Sequence, residues 1–329
     1  MKLRFYMFDW DDNILFMPTK VHVEIDGEPK DITTQEFAKL RGSPGLKPRN
    51  GSWEETFADM HDEHDLFYRD AVEAIEKGQF GPSYNSFKEC LAHARLFAII
   101  TARGHPSAVL RRSILRLIPV ILDEDEIKKM YKHLEWYGRL HGSKPMSLEK
   151  YISLCEFATV SSNEFRDLYG NLPSEDAKQI AMRKFIDSSV ERIQRIISRN
   201  EALDSGEELS EADDPLRCPR TQRSDSVASE ARHLRMLRRK GSKIMCNMSY
   251  ADLTFGMSDD DHHNVQAISD FLANDMTMAH KHAKFYVYDT GNTAKVKKFM
   301  YVQDDGVVRK MSEEESEISE PGSSSDEDD

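Results

Sequence analysis

The chain has 329 residues, of which 39% are hydrophobic and 31% charged, and its net charge is −13. That length allows one large core with insertions, or two domains, and the composition is that of a soluble globular protein with solvated appendages. The charge argues against broad nucleic-acid binding, and no apolar run approaches the ~20 residues of a membrane span.

The first element in the chain is also the most informative. Phe5–Phe8 is a short apolar run of the kind that forms a buried strand, and it stops abruptly in Asp9-Trp10-Asp11-Asp12-Asn13. Carboxylates crowded at one strand end repel each other and are costly to desolvate unless a cation sits among them. Hard cations such as Mg²⁺ take oxygen ligands of this kind. Asp9 and Asp11 point the same way along an extended segment, so both can serve one small site.

Residues 20–25 alternate in polarity, and Asp26-Gly27 is a hairpin turn leading toward Ile32 and Thr33. Residues 41–52 are rich in Gly, Pro, Ser and Asn and read as a loop, after which Ser52 and Glu55 form the ends of a capping box. Helices are expected near 66–77 and 83–94. Leu96–Thr101 is a second buried strand, ending in a hydroxyl and opening through Ala102-Arg103-Gly104 into a helix at Pro106 or Ser107. A hydroxyl and free amides at such a helix start suit a phosphate group.

Residues 123–150 read as helical and 157–162 as a short strand. A helix begins at Pro173-Ser174-Glu175-Asp176 and is strongly amphipathic from Lys178 to Ile197. The four cysteines, Cys90, Cys155, Cys218 and Cys246, are far apart with no metal-ligand spacing and read as reduced thiols. With no signal peptide at the N-terminus, this predicts a cytoplasmic protein, the nucleus being the alternative.

Residues 201–243 change character, acidic at first and then rich in Ser and Arg, and are expected to be a disordered insertion. Ser224 and Ser226 lie beside arginines and read as targets of a basophilic kinase. Residues 231–243 are basic, which leaves nucleic acid as a second, less favoured partner. Order is expected to return with a strand over 251–257, ending in Ser258-Asp259-Asp260-Asp261. His262 and His263 open the next helix as polar residues rather than zinc ligands. A strand over 284–289 and an edge segment over 297–303 follow, and residues 304–329 are read as a disordered tail, strongly acidic from Ser312 on.

Set side by side, these strand ends resemble the four motifs of the haloacid dehalogenase-like (HAD) phosphohydrolase superfamily, in family order over residues 3–272. Phe8-Asp9-Trp10-Asp11-Asp12-Asn13 matches the two aspartates of the first motif, and Ile99-Ile100-Thr101 the second. Lys178-Gln179-Ile180-Ala181-Met182 is similar to the lysine-bearing third motif. Phe255-Gly256-Met257-Ser258-Asp259-Asp260-Asp261 is similar to the acidic fourth. Asn13 stands where relatives carry Thr or Val, and His263 where many have a further acid. Lys184, Lys240 and Lys243 are rivals to Lys178, which is preferred for its helical context.

The resemblance implies an α/β fold, a Rossmann-like doubly wound parallel sheet formed by residues 1–200 and 244–303. Helical cap insertions are expected within 18–85 and 120–172. It implies a Mg²⁺-dependent phosphatase acting on a phosphate monoester of unknown class through an aspartyl-phosphate. Asp9 is then the nucleophile and Asp11 the proton donor and acceptor. Thr101, the amide of Ala102 and Lys178 hold the phosphate, and Asp9, the backbone carbonyl of Asp11, and Asp259 or Asp260 bind the metal. Two further readings stand beside it: the same fold kept as a regulatory or binding module, and a phosphatase of nucleic-acid ends, suggested by the basic segment.

Overall fold

The computed structural model describes residues 3–61, 65–140, 145–205, 253–292, 295–304 and 307–316. Strand β1 (Leu3–Phe8) sends Phe5 and Met7 into one apolar layer and Phe8, with partly buried Tyr6, into another. A strand apolar on both sides needs cover on both, which is the situation of a parallel sheet between helices.

The chain then leaves this layer for a small separate sheet. Strands β2 (Val21–Ile25) and β3 (Glu28–Ile32) form the expected hairpin, with Asp26 and Gly27 both at positive φ, as a tight two-residue turn requires. Helix α1 (Thr34–Leu40) is closed by a capping box in which the Glu36 amide donates to Thr33 Oγ1 at 3.2 Å. Part of the segment expected to be loop is instead strand β4 (Leu46–Pro48), which pairs with β2. Helix α2 (Trp53–Thr56) starts at Ser52, whose hydroxyl accepts from the Glu55 amide at 3.3 Å.

Back on the main sheet, α3 (Leu66–Glu76) and α4 (Tyr84–Ala92) precede β5 (Phe97–Thr101), every residue of which is buried. Helices α5 (Ser107–Ile121), α6 (Glu124–Leu140) and α7 (Leu148–Leu154) lead to β6 (Glu156–Thr159). Helices α8 (Asn163–Tyr169) and α9 (Ser174–Ser205) follow. Then come β7 (Leu253–Asp259), α10 (His262–Phe271), β8 (Lys284–Asp289), β9 (Lys295–Asp304) and β10 (Val307–Ser316).

The main sheet has the order β10-β9-β8-β7-β1-β5-β6. Its five strands from β8 to β6 are parallel, and β9 and β10 add an antiparallel hairpin at one side. One face carries α9 and α10 through residues such as Ala181, Phe185, Val265 and Ile268. The other carries α3 to α7 through Phe67, Phe87, Leu110, Met130 and Tyr151. The protein is thus α/β with a mostly parallel sheet, and among the described residues no helix is long and apolar enough to cross a membrane.

Three boundaries differ from the sequence reading. Segment 120–172 was expected to supply cap elements, but α6 and α7 bury Met130, Leu134, Tyr151 and Ile152 in the main core. Their apolar stripes find more surface there than over an open site. Helix α9 runs to Ser205, into the start of the 201–243 insertion. Strand β10 carries the beginning of the 304–329 tail onto β9, whose unpaired backbone groups accept a partner strand almost irrespective of its side chains. The remainder of the insertion, with Ser224, Ser226 and the basic run, and residues 317–329 lie outside the described residues.

Candidate functional site

Parallel pairing brings distant strand ends to one edge. Phe8 of β1 is in register with Ser258 of β7, so Asp9 and Asp259, each one residue further on, emerge side by side. The Asp9 amide donates to the Ser258 carbonyl at 3.0 Å. Carboxylate oxygens of Asp9, Asp259 and Asp260 all lie within 4.8 Å of one another.

One cation answers them from inside. Lys178, in the first turns of α9, is 1% exposed; its ammonium donates to Asp9 Oδ1 at 3.0 Å and to Asp259 Oδ2 at 2.7 Å. Asp259 Oδ1 accepts from the Asp261 amide at 3.0 Å and from Asn264 Nδ2 at 3.2 Å, so its side chain is held on every side. Burial alone favours loss of the Lys178 proton, but the carboxylates of Asp259 and Asp9 hold its pKa well above the ordinary lysine value. One ammonium does not neutralise three acids. Burial first, then the charges of Asp259 and Asp11, push the Asp9 carboxyl from 3.8 up to about 8 against the pull of Lys178. Burial with the charges of Asp9, Asp259 and Asp12 pushes Asp260 up to about 9. A cluster of oxygens short of positive charge is a fitting set for a hard divalent cation.

Asn13 is fully buried and ties the site's backbone together. Its Nδ2 donates to the Asp9 carbonyl at 3.0 Å, the Ser258 carbonyl at 3.2 Å and Ser258 Oγ at 2.9 Å. Its Oδ1 accepts from the hydroxyls of Ser83 and Thr290, both at 2.8 Å. A Thr or Val has too few polar atoms to make these five contacts. Gly291 follows from close approach: a Cβ there would lie 2.5 Å from the Asp260 carbonyl oxygen.

Asp11 lines the same cleft, but its carboxylate is engaged elsewhere. Arg103 grips it in a fork, Nε to Oδ2 at 2.8 Å and Nη2 to Oδ1 at 2.6 Å. Arg103 is 1% exposed and donates also to Thr19 Oγ1 at 3.0 Å, while the Thr19 hydroxyl donates to Asp70 at 2.5 Å. In the sequence Arg103 is part of the exit from β5 toward α5, with no partner indicated. The signal available was its place two residues after Thr101, hence on the same side of an extended exit. The next residue, Gly104, donates its amide to the Met60 carbonyl at 3.1 Å and packs so tightly on the His61 ring that a Cβ would fall 2.0 Å from it. The segment after β5 thus touches both ends of the small sheet's insertion.

Thr101 and Ala102 line a cleft of about 2160 Å³ together with Asp9, Lys178, Asp259 and Asp260. The insertion between Pro18 and His61 also lines this cleft, through residues that include Phe37, Arg41, Trp53 and Phe57. Among the described residues of segment 120–172, only Ser161, Asn163 and Arg166 line the cleft. Lys184 pairs with Glu156 at 2.7 Å on the surface, remote from Asp9, and Lys240 and Lys243 lie outside the described residues. His262 and His263 sit at the start of α10 and line the cleft, where Asp261 caps the helix by accepting from the His263 amide at 2.9 Å. Compared with protein-family models, curated proteins and solved structures, the chain finds no match.

Proposed function

We propose that the chain is a Mg²⁺-dependent phosphomonoesterase that works through an aspartyl-phosphate, on a Rossmann-like doubly wound core of the HAD type. The observation that carries this reading is the meeting of Asp9, Asp259 and Asp260 around one buried lysine. They meet at the carboxyl edge of a parallel sheet, where such sheets bind ligands. The donors are all oxygen, a set that suits Mg²⁺ better than zinc.

A bound Mg²⁺ supplies charge neutralisation, so that an anionic phosphate can approach carboxylates. Asp9 attacks phosphorus with a carboxylate oxygen, the bond from phosphorus to the alcohol oxygen breaks, and that oxygen takes up a proton. Asp11 gives this proton and later takes one from the water whose oxygen attacks phosphorus, which frees phosphate and restores Asp9. To do so Asp11 must first leave the Arg103 fork. The Thr101 hydroxyl, the Ala102 amide and the Lys178 ammonium hold the non-reacting phosphate oxygens as charge develops.

The test is hydrolysis of p-nitrophenyl phosphate in Mg²⁺ and in EDTA by wild type and Asp9→Asn. Mg²⁺-dependent release in wild type, falling about 10⁴-fold in the variant, is expected. Absence of Mg²⁺-dependent release across a broad panel of phosphomonoesters sinks the reading and favours a binding role for the fold.

A further inference from the structure

We propose that the chain pairs with a second copy of itself through the outer edge of β10, antiparallel and centred on Ser312, so that the two main sheets join into one.

The main sheet ends in β6 on one side and in β10 on the other. Strand β6 has 4 residues, too few to offer another chain much of a ladder. Strand β10 has 10 residues, pairs with β9 along its whole length, and among the described residues meets no strand on its other side. A strand edge of that length presents a row of backbone donors and acceptors that readily take a further strand. Proline is a common guard of such an edge, and residues 307–316, Val-Val-Arg-Lys-Met-Ser-Glu-Glu-Glu-Ser, contain none. Their charges are sorted instead: Arg309 and Lys310 stand in the first half, and Glu313, Glu314 and Glu315 in the second. A strand sorted in this way repels a copy lying parallel to it in register and attracts one that runs antiparallel.

The register with β9 shows which of these charges meet an opposite charge within the chain. Lys297 and Lys298 of β9 stand directly opposite Glu314 and Glu313. Arg309 and Lys310 stand directly opposite Val302 and Tyr301, so β9 supplies no carboxylate at those positions. The matching acids lie on the outer side, in a second β10.

Symmetry then selects the register. Two copies of one strand pair antiparallel within a sheet about a two-fold axis normal to it, which leaves every residue on its own face. Residues directly opposite share a face, and faces alternate along a strand, so only positions an even number of residues apart can meet. Centred on Ser312, the axis sets Arg309 opposite Glu315 of the second copy and Lys310 opposite Glu314, each match made twice by symmetry. Centred on Met311, it sets Arg309 opposite Glu313 but Lys310 opposite Ser312, and half the matches are lost. The Ser312 register also places Glu314 between Lys297 of β9 and Lys310 of the second copy. Such a pair is closed, because each chain's outer edge is used up by the other.

The experiment is sedimentation velocity on the full chain over a wide range of concentration, at low and high salt. Wild type, Arg309→Glu, Glu315→Lys and an equimolar mixture of the two variants are compared. Both positions stand opposite valines of β9, Val302 and Val296, so neither swap sets like charges directly opposite each other inside the chain. Wild type is expected to be a reversible dimer that salt weakens. Each variant alone brings like charges together twice, and its dissociation constant should rise by about 10-fold or more. The mixture should recover wild-type affinity, because both opposed pairs are again of opposite sign, and this recovery shows that both variants fold. Wild type that sediments as a monomer at every concentration, as it would if another segment of the chain covered the edge, overturns the proposal. So does a dimer that neither swap weakens, or a mixture that associates no more tightly than either variant alone.

Discussion

Replacing Asp260 by Asn tests whether the acidic cluster is built to be completed by a cation. In the metal-free fold the Asp260 carboxyl titrates at about 9, against 3.8 for an ordinary aspartate. Between those values the folded chain keeps a proton that the unfolded chain releases. Stability therefore falls as pH rises from about 4 to about 9, by about 1.4 kcal/mol per pH unit. At pH 7 this amounts to about 4 kcal/mol, and at pH 5 to about 2 kcal/mol, a ceiling because Asp9 titrates together with Asp260. Asparagine has the same shape and no such proton, so in EDTA the variant should be more stable than wild type at pH 7, with a flatter dependence on pH. Saturating Mg²⁺ should stabilise wild type, by about 2.7 kcal/mol at a hundredfold excess over Kd, and the variant much less. Urea unfolding followed by intrinsic fluorescence at several pH values, in EDTA and in Mg²⁺, reads both effects. A variant that is less stable than wild type in EDTA at pH 7, or that gains as much from Mg²⁺, refutes the reasoning.

Asn13→Ala removes five hydrogen bonds and strands buried partners on Ser83, Ser258 and Thr290, at a cost of about 3–5 kcal/mol in urea unfolding. Asn13→Thr, whose single hydroxyl can replace only some of these contacts, should recover only part of that loss. A Thr variant as stable as wild type shows that the network is dispensable. Arg103→Met leaves the Asp11 carboxylate and the Thr19 hydroxyl without the guanidinium, and should cost about 3–5 kcal/mol while leaving the Mg²⁺-induced gain in place. Arg103→Lys keeps the charge but not the fork and should recover little of it. Full stability in the Lys variant means that charge alone, not the fork, holds Asp11.

What the sequence determined by itself is local. An apolar run ending in Asp9-Trp10-Asp11, another ending in Thr101 and a third ending in Asp259-Asp260 already mark strands with polar tips, because a run of apolar residues that stops at carboxylates or a hydroxyl shows where the apolar core gives way to polar groups. The Asp26-Gly27 turn and the Ser52 cap are equally local, since backbone conformation and a neighbouring amide decide them within a few residues.

Tertiary structure alone decided the pairings. Lys178 rather than Lys184 meets Asp9, because one side of α9 faces the sheet edge and Lys184 lies on the surface against Glu156. Asp11 belongs to Arg103, and Asn13 to strand ends up to 277 residues away. Nothing in a run of a dozen residues encodes such contacts. The insertion that faces the site is the small sheet between Pro18 and His61, whereas α6 and α7 joined the main core, because each apolar stripe settles where it buries most surface. Parallel strand order then does the rest: once β7, β1 and β5 lie side by side pointing the same way, their three polar ends share one edge.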